Sequence, residues 1–410
     1  MTLDRRGARR LLLALAAFLL VLASARTSAA YAWMIRHEYT GCPQCHADPS
    51  GGGLLTAYGS GTGDLLLRTH YGGGNPEEEE TKVGQFMFGA VPLPEWLLLG
   101  ADGRLLYFAQ KPGTAPVVTQ FYHMQSDAEG QVTVDRFRVN GSLGFITQGG
   151  ARAAALTHDD KVNLISRVHW AGVDLGEDKN WTVRAGRMNL PFGLRIIEHE
   201  AWVRKATRTN INDQQQHGVA VAYNGEGLRG EVMAVAGNLQ LTPTDFRDRG
   251  YVGFVEFAPS THVAGGFSSE VLHATRDVDL ATPIWRQAHG VFGRAAPWKP
   301  LVISAEMDML VLSQPPSAVL QGQEATRLGY AGLGQLDLEP ITGVHVIGTG
   351  ELLRDPSIAQ GGPGYGVWGS LHWYFLPHLD VRGDAIYQSV PAGPARVGVT
   401  TFLLQGHIYL

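Results

Sequence analysis

The sequence predicts an all-β protein, a single-chain antiparallel outer-membrane β-barrel of about sixteen strands behind a short N-terminal segment of different character. Three observations predict it. From about Pro94 to Leu410 the chain alternates polar and apolar residues with a period of two, broken by turn residues. Its 52 glycines are nearly twice the usual share, and only 17% of residues are charged. No apolar run of membrane-helix length follows the N-terminus.

Residues 1–30 form the first element. Arg5, Arg6, Arg9 and Arg10 precede an apolar stretch from Leu11 to Ser24. These are the n- and h-regions of a secretory signal, too short to span a bilayer comfortably. Ser28-Ala29-Ala30 and Ala30-Tyr31-Ala32 both suit a cleavage site, so the mature chain is expected to begin near Tyr31 or Trp33. The alternative is an uncleaved signal anchor.

Residues 31–71 hold both cysteines of the chain, in Cys42-Pro43-Gln44-Cys45-His46. C-x-x-C-H is the attachment motif for a c-type haem. Each thiol can add to a haem vinyl group, and His46 then serves as the proximal iron ligand. Three other readings compete with it. A thioredoxin-type disulfide wants a helix opening at the first cysteine, but Ala47-Asp48-Pro49-Ser50-Gly51-Gly52-Gly53 is loop chemistry. A structural zinc needs a second ligand pair, and no further cysteines exist. The third is an incidental disulfide. The export signal favours haem, because haem attachment in bacteria takes place outside the cytoplasmic membrane.

A transfer haem takes a second axial ligand, usually methionine or histidine. Met34, His37, His70 and Met87 are the candidates. His70 is preferred, because the 24 residues after His46 leave enough chain to fold around the iron. A barrel residue or an open site are the alternatives.

Residues 72–93 read as a linker. Gly72-Gly73-Gly74-Asn75-Pro76 and Glu77-Glu78-Glu79-Glu80 cannot bury anything. A metal-collecting role for the four glutamates is the lesser reading.

Residues 94–410 supply the barrel. Strands are expected at about 131–145, 148–157, 160–174, 180–190, 217–224, 228–238, 249–258, 261–273, 283–294, 300–312, 326–338, 342–353, 364–375, 378–389 and 397–410, with at least one more between Trp96 and Gln125. Arg136, Arg138 and Asn140 alternate with Phe137 and Val139. Arg167 and His169 alternate with Val168 and Trp170. Ser304, Glu306 and Asp308 alternate with Ile303, Ala305, Met307 and Met309, and Asp380, Arg382 and Asp384 with Leu379, Val381 and Ala385. Charge recurring on one face of so many strands must be wet or well paired. A polar lumen behind a lipid-facing apolar wall satisfies every strand at once.

Two stretches resemble known families. Arg36 stands six residues before Cys42, and Pro49, Gly51-Gly52-Gly53 and Leu55-Thr56-Ala57-Tyr58-Gly59 follow the motif. This resembles the fused outer-membrane monohaem cytochrome c–porins, in which a short haem segment precedes a single-chain barrel. The resemblance implies one covalent haem c and electron transfer between an extracellular donor and periplasmic carriers. Ferrous iron is the donor of the best-known members, so an extracellular iron oxidase is the activity implied. The triple glycine is closer to exported monohaem proteins whose donors vary. Separately, Gly186-Arg187-Met188-Asn189-Leu190-Pro191-Phe192-Gly193 is similar to a stretch of phosphate-selective-type porins where a strand ends and the chain turns inward. The final strand, Thr400 to Leu410, is similar to the terminal strand of outer-membrane barrels, with Leu410 where phenylalanine is usual.

The polar segment from Arg195 to Gln216 is expected to be a solvated loop rather than a constriction folded into the lumen. Within Glu198-His199-Glu200 only the two glutamates share a side of an extended chain. The formal charge of −5 offers no basic footprint for nucleic acid. The partners expected are outer-membrane lipid and a periplasmic cytochrome or other electron carrier. Two further functions stay open: a diffusion porin with an N-terminal plug, and a soluble periplasmic monohaem cytochrome with a β domain.

Overall fold

The computed structural model describes residues 32–71, 85–147, 154–157, 159, 161–198, 200–240, 244–315, 325–358, 362–393 and 395–410. The expected signal peptide, most of the expected linker and His199 lie outside the described residues.

Seventeen strand segments form one sheet among the described residues. They are β1 (Leu97–Pro112), β2 (Val118–Val134), β3 (Phe137–Thr147), β4 (Val162–Ile165), β5 (His169–Leu175), β6 (Trp181–Met188), β7 (Gln216–Gly225), β8 (Leu228–Gly237) and β9 (Arg249–Ser260). There follow β10 (Val263–Ala274), β11 (Ile284–Trp298), β12 (Leu301–Gln314), β13 (Ala325–Ile341), β14 (Val344–Arg354), β15 (Gly364–Leu376), β16 (Leu379–Ala392) and β17 (Ala395–Tyr409). Both β4 and β5 pair with β3, so they are two halves of one strand broken at 166–168. Sixteen positions therefore go round the ring. It closes where β1 meets β17, from Asp102 opposite Tyr409 to Pro112 opposite Val399. Closure leaves no unpaired edge.

The ring of sixteen agrees with the expected number, while the expected bounds differ in two places. Residues 97–134 hold two long strands, and the expected strand at 131–145 contains the turn between β2 and β3. Of the expected strand at 148–157, residues 148–153 lie outside the described residues, and among 154–157 Ala155 makes an isolated bridge to Ile165.

The faces follow the alternation. Along β12, Ser304, Glu306 and Asp308 point inward, while Ile303, Met307 and Met309 face out. On β17, Phe402, Leu404 and Ile408 are exposed. An apolar exterior on a closed antiparallel barrel is solvated by lipid, which overturns the soluble β-domain reading. No helix among the described residues is long and apolar enough to cross a membrane, so the crossing elements are strands. One expected face is reversed. The break at 166–168 turns Trp170 inward, where the guanidinium carbons of Arg138 and Arg184 lie 5.6 and 5.1 Å from its ring.

The inward charges are paired across strands rather than left wet. Arg229 and Arg294 share Glu256 at 2.8 Å each, and Arg286 of β11 faces Glu270 of β10 at 3.7 Å. Arg184 pairs with Glu231. Removing a charge from water is offset only by such partners.

The two ends of the barrel differ. At one end the connections run from two to five residues, as at 135–136 and 176–180. At the other they include the 27 residues of 189–215. The start of β1 and the end of β17 both lie at the short-turn end.

Residues 32–71 fold into the lumen at that short-turn end and act as a plug. A 3-10 turn, Ala32–His37, is followed by α1, Ala57–Leu67. Thr56 caps α1 by accepting from the Gly59 amide at 3.0 Å. Three glycines weaken this helix. Gly59 is nonetheless required, because a Cβ there would collide with the Cys45 backbone. Packing therefore holds α1: Trp33, Met34, Ile35, Cys45 and Leu67 form one core with Ala258, Ala264, Ala296, Val302 and Tyr374 of the barrel.

The segment 189–215 crosses the lumen, with α2 (Trp202–Ala206) inside it. The expectation of a solvated loop is corrected. Leu190, Phe192, Leu194, Ile196 and Val203 are buried in the principal core of the barrel. The polar residues that suggested solvent are paired with the wall. Arg204 meets Glu306, Glu198 meets Arg382 at 2.8 Å, and Arg208 meets Asp277 at 2.7 Å. Glu200 pairs instead with Lys205 on an exposed surface, so the two glutamates do not share a ligand.

Candidate functional site

The Cys42–His46 motif makes one tight turn, in which the Cys45 and His46 amides donate to the Cys42 carbonyl at 3.2 and 3.0 Å. The turn brings both sulfurs and the imidazole to a single cavity. Downstream, Thr56 ties the turn to α1 by donating to the Gln44 carbonyl at 2.6 Å.

Gly51, Gly52 and Gly53 have φ of 89°, 88° and 64°. Three successive left-handed residues are open only to glycine at low cost. Space demands it too, since a Cβ on Gly51 would stand 2.8 Å from the Cys42 sulfur. The glycine run thus lets the chain double back against the motif. The return places the Gly53 carbonyl 3.3 Å from His46 Nδ1. A carbonyl only accepts, so Nδ1 carries the proton and Nε2 is the unprotonated nitrogen of the ring.

Burial pushes the His46 imidazole down to about 4, keeping it neutral. Burial also pushes the Cys45 thiol up to about 11, with the neighbouring Cys42 adding to the rise. The Cys42 sulfur accepts from Arg229 Nη1 of β8 at 3.2 Å.

The cavity lies where the plug, the barrel wall and the crossing segment meet. The plug supplies Met34, Cys42, Cys45, His46 and Leu54. The barrel supplies Asp102, Arg104, Glu129, Tyr374 and His407, and the crossing segment supplies Arg195. Asp102 holds Arg104 at 3.1 Å and faces His407 Nε2 at 3.4 Å. His407 Nδ1 lies 2.7 Å from Asp380. Arg195 donates to the Ser50 carbonyl at 2.9 Å, fixing the crossing segment to the plug.

The structure thus brings Cys42, Cys45 and His46 together. It places His70 elsewhere: His70 does not line the cavity, and its Nε2 donates to the Leu65 carbonyl at 3.0 Å. His37 faces Glu339 at 3.7 Å, and Met87 is exposed outside the plug. Of the four candidates, Met34 is the one on the cavity wall. Alternation marks Asp102, Arg104, Glu129 and His407 as polar positions, but nothing local in the sequence sets their height along the barrel.

The plug is tied round much of the wall. Arg36 donates to Asp337 at 2.6 Å and to Glu339 at 3.0 Å. Arg184 pairs with Asp48 at 2.9 Å, and Arg138 donates to the Ala47 carbonyl at 3.3 Å. The Thr69 amide donates to the Tyr374 carbonyl at 2.8 Å.

No family model and no curated protein sequence matches this chain. Solved structures do. Outer-membrane expressed OmpT of Vibrio cholerae aligns with a TM-score of 0.57 at 11% identity, over 78% of this chain and 100% of that one. An anion-selective porin from Comamonas acidovorans gives 0.54 at 11%, over 77% and 99%. The outer membrane channel DcaP of Acinetobacter baumannii gives 0.52 at 11%, over 77% and 97%. At such identity the likeness is one of fold, and the fold is that of a sixteen-stranded bacterial outer-membrane barrel of the porin type.

Proposed function

We propose that this barrel is an electron conduit, in which a covalent haem c is held by the plug and links a donor outside the cell to a carrier in the periplasm. The observation that carries the reading is the meeting of Cys42, Cys45 and His46 on one cavity inside the barrel. The donor set fits such a group. Each thiol can add its S–H across a vinyl double bond, forming a thioether with no oxidant. The neutral His46 ring, oriented by the Gly53 carbonyl, would be the ligand for the iron. When bound, a haem supplies reversible one-electron transfer at its iron.

The chain's own residues hold that group and shield it from lipid. The glycine run clears room beside Cys42, while Arg104 and Arg195 bring positive charge to the wall. Short turns face the periplasm in barrels of this class, so the plug end meets the periplasmic carrier. The resemblance of the motif region to cytochrome–porins makes ferrous iron the first donor to try.

The test is a spectrum of the protein purified from outer membranes. We expect c-type bands that survive acid–acetone extraction, and their loss in Cys42→Ala and Cys45→Ala. A wild-type protein without these bands would overturn the proposal. A second reading, a diffusion porin with a plug, is favoured by the likeness of the barrel to an anion-selective porin. Single-channel conductance separates the two. A plugged conduit passes little current, and a porin passes a steady one.

A further inference from the structure

Glu129 of β2 is a titratable side chain that the proposed function leaves unused. It stands opposite Gly100 of β1, on the wall of the Cys42–His46 cavity. Its carboxylate lies over the glycine run, where a Cβ on Gly53 would stand 3.3 Å from Glu129 Oε2. The Gly53 carbonyl is in turn the group that orients the His46 ring. Glu129 thus borders the motif from the barrel side.

The charges around Glu129 do not balance. Asp102 of β1 and Asp127 of β2 face each other two residues along the same strand pair. Arg104 is engaged by Asp102 at 3.1 Å, and Arg167 by Asp127. His407 of β17 lies between Asp102 at 3.4 Å and Asp380 of β16 at 2.7 Å. Arg195, from the crossing segment, donates to the Ser50 and Leu190 carbonyls at 2.9 and 3.3 Å. Each cation is spent on another acceptor, and Glu129 is the carboxylate left over.

A ferric centre carries one more positive charge than a ferrous one. Inside the barrel that unit is screened less than in water, so it bears on an unpaired carboxylate at the same cavity. When an electron cancels it, a proton can take its place. Arg104, Arg167 and Arg195 cannot answer in this way, because a guanidinium keeps its protons.

We infer that Glu129 couples proton uptake to electron arrival, ionised beside ferric iron and protonated beside ferrous iron. The inference rests on the electron-conduit proposal and names the residue that keeps the charge of its cavity constant. The step balances. One electron from the outer donor converts ferric to ferrous iron, and one proton from water converts the Glu129 carboxylate to the acid. No other bond forms or breaks. The coupling is reciprocal, so pH sets the potential of the iron. The ferrous state holds the extra proton, so a rise in pH favours the ferric state and lowers the potential.

Redox titration of the haem-loaded protein in detergent, repeated over a series of pH values, tests this. We expect the midpoint potential of the native protein to fall as pH rises. At its steepest the slope should approach about 59 mV for each tenfold drop in proton activity, the value for one proton per electron. Glu129→Gln keeps the shape of the side chain and cannot ionise. Its potential should be flat over the same range and should match the acid plateau of the native protein, where Glu129 is already protonated. Glu129→Ala, as a second variant, should be equally flat. A native potential that stays constant between about pH 4 and pH 10 would overturn the inference. So would a native slope retained in both variants, which would assign the proton to His407 or to a haem propionate. Absence of c-type bands overturns the electron-conduit proposal and this inference with it, whereas bands with a flat potential overturn this inference alone.

Discussion

Replacing Arg36 by methionine should loosen the plug without opening the barrel. Arg36 is almost fully buried and donates to two carboxylates of β13, Asp337 at 2.6 Å and Glu339 at 3.0 Å. Methionine keeps the bulk and removes the charge, leaving both carboxylates short of a partner. Breaking a buried pair from one side costs about 3–5 kcal/mol. The lower end applies here, because each carboxylate keeps other donors. Asp337 stays 3.0 Å from His345 Nδ1, and Glu339 still accepts from the Gly343 amide at 3.0 Å. About 3 kcal/mol raises the undocked fraction of the plug by roughly a hundredfold. Hydrogen–deuterium exchange in detergent reads this directly. Peptides from residues 32–71 should exchange faster by about that factor if undocking limits exchange. Peptides from β10 to β14 should not change. Unaltered plug exchange would refute the idea that the Arg36 pair holds the plug. Faster exchange throughout would show that the pair stabilises the barrel instead.

Two other substitutions probe the wall and the crossing segment. Leu404 faces lipid near the middle of β17, so Leu404→Arg should destabilise the barrel by about 2–4 kcal/mol in urea titrations of vesicle-folded protein, while the lumen-facing Gln405→Arg should cost little. Equal effects at 404 and 405 would contradict the assigned faces. Glu306→Gln strips the buried Arg204 of its carboxylate and weakens the acceptor for the Leu194 amide. By the same cost of about 3–5 kcal/mol the crossing segment should release from β12, raising single-channel conductance. Unchanged conductance would mean that Glu306 does not pin it.

The barrel was legible because lipid and lumen impose a period of two on every strand, and residues 301–314 show it without interruption. What misled was irregular backbone. The break at 166–168 reverses the face of Trp170, which no alternation rule anticipates. The crossing segment looked solvated because Glu198, Arg204 and Arg208 are charged. Their partners Arg382, Glu306 and Asp277 lie on strands far along the chain, and only closure of the ring brings them near. The candidate site divides in the same way. Cys42, Cys45 and His46 are set by local spacing and were readable. Glu129, Arg195 and His407 reach the cavity through strand height and the path of 189–215, neither of which is a local property. His70 was plausible on chain length alone, but the cap of α1 directs the chain past it to the wall.

The ring closes at a seam between its first and last strands, and the plug precedes the first of them. That order sets a sequence of events in biogenesis. With Cys42 2% and Cys45 4% exposed, a ligating enzyme cannot approach either thiol once the plug is docked. On the electron-conduit proposal, haem loading would therefore precede docking, on an exported segment that is still open. A cell that exports this chain faster than it ligates haem would then accumulate docked plugs without their cargo.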